Sequence, residues 1–510
     1  MSAPRVASGS LMVCGTASNS GKSLLVAGLC RLLARQGVKV APFKGQNMAL
    51  NSLVTADGDE IGRAQGAQAA AASVEPEAAM NPVLLKPTSD RRSQVIVMGR
   101  PWRTLDAADF YAAKAELVAI VDEALDDLRR RFDVVICEGA GSPAEINLLA
   151  HDLVNLGLAG RAKVPAILVG DIDRGGVFAH LYGTTALLPD ELRASLRAFV
   201  INKFRGDPGL LGNATAVLWE RTGLPTIGVV PWLPGVTIDA EDSLALAEME
   251  RLDTGERAAD ALDVAVVRLP RLSNFTDVDA LALEPGVVVR WVRTANQLRG
   301  ADLVILPGTK STVADLAWLR ERGFDRVIAE LVAGPSAPCL LGLCGGYQML
   351  GTTIADEDGV EHPGGEARGL GLLDVTTRFL ADKQTAQRRG REWGTDVPAA
   401  GYQIHHGRVT LRPSARPWFA LEGADNDTDD GARDDERAVY GTTLHGLFEG
   451  DEFRSGFLAA VAARRGKDWV PSGVSFAAAR VAQYDRVADA CEAHLDLDAL
   501  YGIVAAGALP

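Results

Sequence analysis

The chain has 510 residues, length for roughly two to four domains with a sizeable core. Apolar residues make up 47% but aromatics only 6%, so the cores must be built mainly from Ala, Val and Leu. A net charge of −14 excludes a general nucleic-acid binder, and no run reaches the ~18 apolar residues of a membrane span. Residues 1–10 lack the apolar core of an export signal. The six cysteines are scattered with no C-x-x-C pair, so reduced thiols and a cytoplasmic location are expected.

The first predicted element is a buried strand at residues 11–14. It runs into Gly15, Thr16, Ala17, Ser18, Asn19, Ser20, Gly21, Lys22 and Ser23, followed by an apolar helix at 24–33. Strand, glycine-bearing loop, G-K-S and helix make a phosphate-binding loop. Backbone amides at the helix start cradle phosphates, Lys22 reaches the outer phosphate oxygens, and Ser23 binds Mg²⁺. The expected ATP contacts are Gly15, Thr16, Asn19, Gly21, Lys22 and Ser23. The spacing is not the standard one, because Thr16 stands where the first glycine is usual.

Further strands are predicted at 38–43, 132–137, 166–170, 199–203 and 226–231, with helical stretches such as 108–131 between them. This alternation implies a mostly parallel sheet covered on both faces. Glu138 ends one strand and is followed by Gly-Ala-Gly. A carboxylate there, next to the phosphate-loop strand, suits a Mg²⁺ ligand. The variant loop resembles the dethiobiotin-synthetase-like branch of P-loop proteins, whose members often use ATP to activate a carboxylate. That resemblance implies that Lys44 neutralises the transferring phosphate, that Glu60 lies near Mg²⁺, and that Asn202 contacts the adenine.

Residues 239–262 are rich in Glu, Asp and Ala and read as a linker with one helix. A new sheet begins at 263–267, and a buried strand at 302–307 ends in Pro307-Gly308-Thr309-Lys310. The apolar run 339–341 then leads into Gly342-Leu343-Cys344-Gly345-Gly346-Tyr347-Gln348. This is the pattern of a nucleophile elbow, with Cys in place of Ser. Glycines permit the sharp strand-to-helix turn, and the helix end favours the thiolate. Cys14, Cys30, Cys137, Cys339 and Cys491 read as small core residues.

A thiol nucleophile needs an imidazole to move its proton. His445, in Thr443-Leu444-His445-Gly446-Leu447-Phe448, is the candidate. On its own it reads as a turn or core histidine. Together the two motifs resemble class I glutamine amidotransferases over residues 263–450. The resemblance implies that the Gly308 and Gly345 amides form the oxyanion hole. The usual glutamate two residues after the histidine is Leu447 here, and the nearest acid is Glu449, so a Cys–His dyad is expected with its third member open. Residues 425–437 read as a charged, solvated loop. Helices are predicted at 453–462 and 474–500. His405 and His406 lack partners at metal-ligand spacing.

Four stretches, Lys44-Gly45-Gln46-Asn47, residues 81–87, Asp171-Ile172-Asp173-Arg174-Gly175-Gly176 and Gly401-Tyr402-Gln403-Ile404-His405-His406, match the cobyric acid synthase family, which joins the same two halves in this order. The expected fold is α/β: a P-loop (dethiobiotin-synthetase-like) parallel-sheet domain at 1–238, a linker at 239–262, a class I glutamine amidotransferase-like domain at 263–450, and a helical extension at 451–510. The resemblance implies ATP- and glutamine-dependent amidation of the b, d, e and g carboxylates of adenosylcobyrinic acid a,c-diamide. ATP and Mg²⁺ are used with no tightly bound cofactor. Glutamine and a corrinoid are the partners, with no nucleic acid or membrane, and a homo-oligomer is admitted. Gln46, Asn47, Asp173 and Arg174 are the implied substrate contacts. Lys44, Lys86, Arg91, Arg92 and Arg174 are candidates for the local positive charge an anionic substrate needs on this acidic chain. The alternatives are cobyrinic acid a,c-diamide synthase, a cousin with the same halves, and a partition-type P-loop ATPase, which leaves Cys344 and His445 without a task.

Overall fold

The computed structural model describes residues 8–89, 91–149, 152–236, 260–334, 336–362, 364–423 and 428–507. In the N-terminal half the strands are β1 (Gly9–Gly15), β2 (Val40–Phe43), β3 (Gln46–Met48), β4 (Ser52–Val54), β5 (Glu60–Gly62), β6 (Val83–Pro87), β7 (Arg92–Val97), β8 (Arg100–Asp106), β9 (Val134–Glu138), β10 (Ala166–Asp171), β11 (Leu196–Phe204) and β12 (Thr226–Pro231). Six of them form one parallel sheet in the order β12-β11-β10-β1-β9-β2. Every residue of β1 is buried, as a central parallel strand covered on both faces requires. Its neighbours β9 and β10 leave it in opposite directions through the sheet. The carboxyl ends of these three strands therefore open a crevice, where α/β sheets bind ligands.

Helices α1 (Lys22–Arg35), α2 (Arg63–Ala71) and α3 (Ala107–Arg131) cover this sheet. The face opposite α1 is closed by α3 through Leu117, Val121, Leu125 and Leu128. The β3-β6-β7-β8 sheet and the β4-β5 hairpin lie between β2 and β9 in sequence, and Ser52 and Val54 of the hairpin meet the C-terminal half.

The C-terminal half begins with β13 (Leu262–Val267), β14 (Val287–Val292), β15 (Leu303–Leu306) and β16 (Cys339–Leu343). It continues with β17 (Thr353–Asp356), β18 (Gly365–Arg368), β19 (Val375–Glu392), β20 (Pro398–Leu411), β21 (Arg416–Leu421), β22 (Thr428–Asp434) and β23 (Val439–Thr442). Strands β14-β13-β15-β16-β23 run parallel, and the sheet continues through β22, β21, β19, β17 and β18 to eleven strands, β20 pairing with β19. The β19–β20 ladder lapses between Phe379 and Gln384. Such a break bends a strand and re-aims its side chains, and here it sends Lys383 into the N-terminal half, where it pairs with Glu60.

Two sequence expectations need correction. The charged run 425–437 is not a loop throughout: Thr428–Asp434 is strand β22, and residues 425–427 lie outside the described residues. Composition misled because Asp430 is buried and accepts hydrogen bonds from Thr442, Thr443 and Gln403, so a carboxylate is satisfied inside the sheet. The C-terminal helices, expected as one extension, divide between the halves. Helix Asp451–Arg465 packs on the eleven-stranded sheet, and its fully buried Arg454 pairs with Glu284 at 2.9 Å. Helices Phe476–His494 and Leu497–Ala505 return to the N-terminal half, where Val487, Cys491, Leu500 and Val504 join Leu25 and Leu29 of α1. Each fully buried Val or Leu there contributes about 1.5–3 kcal/mol. The expected linker at 239–262 lies outside the described residues up to residue 259, and β13 starts at Leu262. Among the described residues no helix is long and apolar enough to cross a membrane.

Candidate active sites

Cys344 stands between β16 and the helix Gly345–Leu350 with φ 49° and ψ −105°, a left-handed conformation that costs a non-glycine residue energy. The neighbours enforce it. A Cβ on Gly346 would lie 1.9 Å from the Leu306 carbonyl oxygen, so only glycine lets β15 approach the elbow this closely. All six cysteines are buried, as the core reading of the other five expects. Burial pushes the Cys137 and Cys491 thiols up to about 12 and the Cys339 thiol up to about 11, which keeps them protonated and inert.

His445 follows β23 and is tied to Tyr402 of β20 by two backbone hydrogen bonds of 2.9 and 3.0 Å. The Tyr402 ring stacks on it at 5.4 Å. It lines the same cavity as Cys344, and its Nδ1–H donates to Asp277 Oδ2 at 2.7 Å. Burial alone would lower the imidazole; Asp277 and then Cys344 outweigh it and push it up to about 10. The Gly446 amide donates to Asp277 Oδ1 at 2.8 Å and fixes the carboxylate in place. Asp277 thus occupies the third position that the sequence left open. Glu449, the nearest acid in the chain, instead pairs with Arg63 and lies 3.6 Å from Arg480.

Gly308 and Gly345 lie beside this group. A Cβ on Gly308 would be 3.1 Å from His445 Cε1, and one on Gly345 would be 2.7 Å from the Thr309 methyl. Gly345 opens a helix, so its N–H has no intrahelical acceptor.

The second group surrounds the phosphate loop. Asn19 and Gly21 adopt positive φ between β1 and α1. Lys22 Nζ donates to the carbonyl oxygens of Ala17 at 3.0 Å and Gly141 at 3.1 Å. Glu138, at the end of β9, accepts from Ser23 Oγ at 2.8 Å, from Lys44 Nζ at 2.9 Å and from Gln68. Burial works to raise the Glu138 carboxyl, but Lys44 and the hydrogen bonds hold it below its usual range. Asn202 Nδ2 donates to the Ser20 carbonyl at 2.9 Å. Gly15, Thr16, Asn19, Gly21, Lys22, Ser23, Lys44, Glu138 and Asn202 therefore gather at one end of the sheet. Ser23 and Glu138 offer hard oxygen donors in contact, a set that fits Mg²⁺ held jointly with nucleotide phosphates. No three His, Cys, Asp or Glu side chains gather as a metal site among the described residues.

Other expected residues lie elsewhere. Glu60 does not join Glu138. It is fully buried and paired with Lys86 at 2.6 Å and with Lys383, and it accepts from Ser52 Oγ at 2.9 Å. Burial would raise its carboxyl, yet Lys383 and Lys86 hold it well below the usual range. Lys86 and Lys383 occupy one carboxylate oxygen each, which leaves little of it for a metal ion. Asn47 is buried and donates to Gln65 Oε1 at 2.8 Å. Gln46 is half-buried, while Arg91, Arg92 and Arg174 are exposed. Asp173 pairs with Arg205 at 2.6 Å. Lys86 is spent on Glu60.

A polar seam joins the segment after Lys44 to the surroundings of His445. Tyr402, stacked on His445, donates through its hydroxyl to the Ser52 carbonyl at 2.9 Å. Asn274, three residues before Asp277, donates to that same carbonyl at 3.1 Å and to the Tyr402 oxygen at 2.9 Å. The Phe275 amide donates to Asn51 Oδ1 at 3.1 Å. The segment that follows Lys44 thus holds the loop that carries Asp277.

Comparison with known proteins agrees with this division. Residues 11–245 match the CobQ/CobB/MinD/ParA nucleotide binding domain, and residues 263–453 match the CobB/CobQ-like glutamine amidotransferase domain. Three proteins named cobyric acid synthase are similar along nearly the whole chain. That of Frankia casuarinae is 52% identical over 98% of this chain and 97% of its own. Those of Mycobacterium sp. (strain KMS) and Nocardia farcinica are each 51% identical over 98% of this chain, covering 98% and 97% of their own lengths.

Proposed function

The chain belongs to the cobyric acid synthase family, and from that premise we propose how its two groups of residues divide one reaction. The enzyme is a glutamine-hydrolysing carbon–nitrogen ligase. It uses ATP and glutamine to amidate adenosylcobyrinic acid a,c-diamide to adenosylcobyric acid. The carboxylates converted are b, d, e and g.

With the thiol proton already on His445 as an imidazolium, the Cys344 thiolate attacks the side-chain amide carbon of glutamine. Asp277 orients the imidazole through Nδ1 and stabilises the imidazolium. The Gly308 and Gly345 amides donate to the oxyanion. Collapse of the tetrahedral intermediate returns the proton to the leaving nitrogen and releases ammonia. Water, with His445 as base, then frees glutamate from the thioester. In the N-terminal half Lys22 and the loop amides hold the ATP phosphates, Lys44 offsets charge on the transferred phosphoryl group, and Asn202 contacts the base. Ser23 and Glu138 would hold Mg²⁺, which when bound neutralises phosphate charge. The substrate carboxylate becomes an acyl phosphate, which ammonia attacks to give the amide and inorganic phosphate. Excluding water from the seam favours amidation over hydrolysis.

One observation carries this reading: the seam of Asn51, Ser52, Asn274 and Tyr402 makes the segment after Lys44 and the Asp277–His445 loop one hydrogen-bonded unit. The test is mass spectrometry of adenosylcobyrinic acid a,c-diamide incubated with enzyme, ATP and glutamine. Stepwise conversion of all remaining carboxylates to amides is expected. Conversion of unamidated cobyrinic acid alone would overturn the substrate assignment.

A further inference from the structure

The cavity that exposes Cys344 is also lined by Lys310, Thr312, Gln348 and Glu361. Lys310 follows Gly308 by two residues, so it is fixed by the same loop that bears the expected oxyanion amide. Its own amide is anchored on the Arg271 carbonyl at 3.0 Å. Glu361 comes from the turn after β17. That turn is stapled by Asp356, whose carboxylate accepts the amides of Val360 at 2.7 Å, Glu361 at 2.9 Å and His362 at 2.8 Å. Glu361 Oε2 leans on the amide and hydroxyl of Thr312, each at 3.4 Å. The Thr312 hydroxyl also reaches Gln348 Oε1 at 3.2 Å.

The two charges face each other without closing. Lys310 Nζ and Glu361 Oε1 stand 4.0 Å apart, whereas an ammonium–carboxylate pair in direct contact sits at about 2.8 Å. A cation and an anion held apart by separate anchors beside a nucleophile form a template for a zwitterion. Glutamine is one: its side-chain amide must meet Cys344, and its α-ammonium and α-carboxylate then need partners of opposite sign.

We propose that Glu361 receives the α-ammonium of glutamine and Lys310 its α-carboxylate, and that this open ion pair is what restricts the thiol to an α-amino acid amide. The assignment rests on the glutaminase reading of Cys344. Burial moves both groups toward their neutral forms, Glu361 up and Lys310 down, and the opposite charges of a zwitterion would favour the charged form of each.

The experiment measures ammonia release from three amides by the full-length enzyme: L-glutamine, glutaramate, which lacks the α-amino group, and the α-amide of glutamine, which lacks the α-carboxylate. Wild type should prefer glutamine by roughly a hundredfold or more in kcat/KM over either analogue, because a site built for a charged group is left unpaired by its absence. Glu361→Gln should lower kcat/KM for glutamine and for its α-amide while leaving glutaramate nearly unchanged, which collapses the first preference. Lys310→Met should collapse the second and spare the first. Thermal melting of each variant reports folding. Equal losses on all three amides in a variant that melts like wild type would assign the pair a structural role and overturn the proposal. Failure of wild type to discriminate would overturn it too, with the glutaminase reading intact. Absence of any ammonia release from glutamine would instead sink that reading, and this one with it.

Discussion

Replacing Asp277 by Asn tests the triad most directly. Asn is nearly isosteric, and its Oδ1 can still accept the Gly446 amide, so the loop should keep its shape. What changes is the charge 2.7 Å from His445 Nδ1 and the tautomer it selects. The imidazole lies at about 10 against an ordinary 6.5, which corresponds to about 5 kcal/mol of preference for the protonated form. Burial opposes that preference, Asp277 is its largest source and Cys344 its second. Removing that largest source weakens the ion-pair state and should slow the glutamine half-reaction. An Asn amide that turns its N–H₂ toward Nδ1 would also force the wrong tautomer, so the expected fall in glutamine-dependent kcat is about 10²–10⁴-fold. The assay compares glutamine with a high concentration of ammonium chloride as nitrogen donor, following corrinoid amidation. The ammonium-supported rate should survive, since it bypasses the thiol. Glu449→Gln should leave glutamine-dependent kcat near wild type, because that carboxylate serves Arg63. The reverse pattern, with the Asp277 variant active on glutamine and the Glu449 variant dead, would refute the assignment.

Cys344→Ala should abolish glutamine-dependent amidation and keep the ammonium-dependent reaction; loss of both would put the ammonia relay in doubt. Glu60→Gln leaves Lys86 and Lys383 buried without their shared counter-charge, and a stability loss of about 3–5 kcal/mol is expected by chemical denaturation. Acid should act in the same place. Glu60 is held below its ordinary 4.5, so as pH falls below that value the opened chain binds the proton more readily than the closed one. Stability present above that pH is then lost, and hydrogen exchange in Ser52–Val54 and Glu60–Gly62 should rise as the pH is lowered. A flat profile would count against the pair. Gly346→Ala drives a methyl against the Leu306 carbonyl 1.9 Å away, so glutaminase activity should vanish and melting should drop, at a cost of about 1–3 kcal/mol.

The sequence by itself determined the features that are local in the chain. A strand, a glycine loop, Lys22 and Ser23 define phosphate binding because the geometry lies within a few residues, and the same holds for the turn around Cys344. Alternation of strand and helix was equally legible, since burial on both faces writes itself into runs such as β1. Only the tertiary structure decided which distant groups meet. Asp277 reaches His445 across 168 positions, and Lys383 reaches Glu60 across 323. No spacing rule spans such separations, because the pairing depends on how two sheets dock and on where the β19–β20 ladder breaks. The same cause moved Glu60 from the expected metal site into the seam between the halves, and turned a charged run into strand β22. A charged side chain reads as solvent-facing until its buried partner is known, and that partner is supplied by the fold.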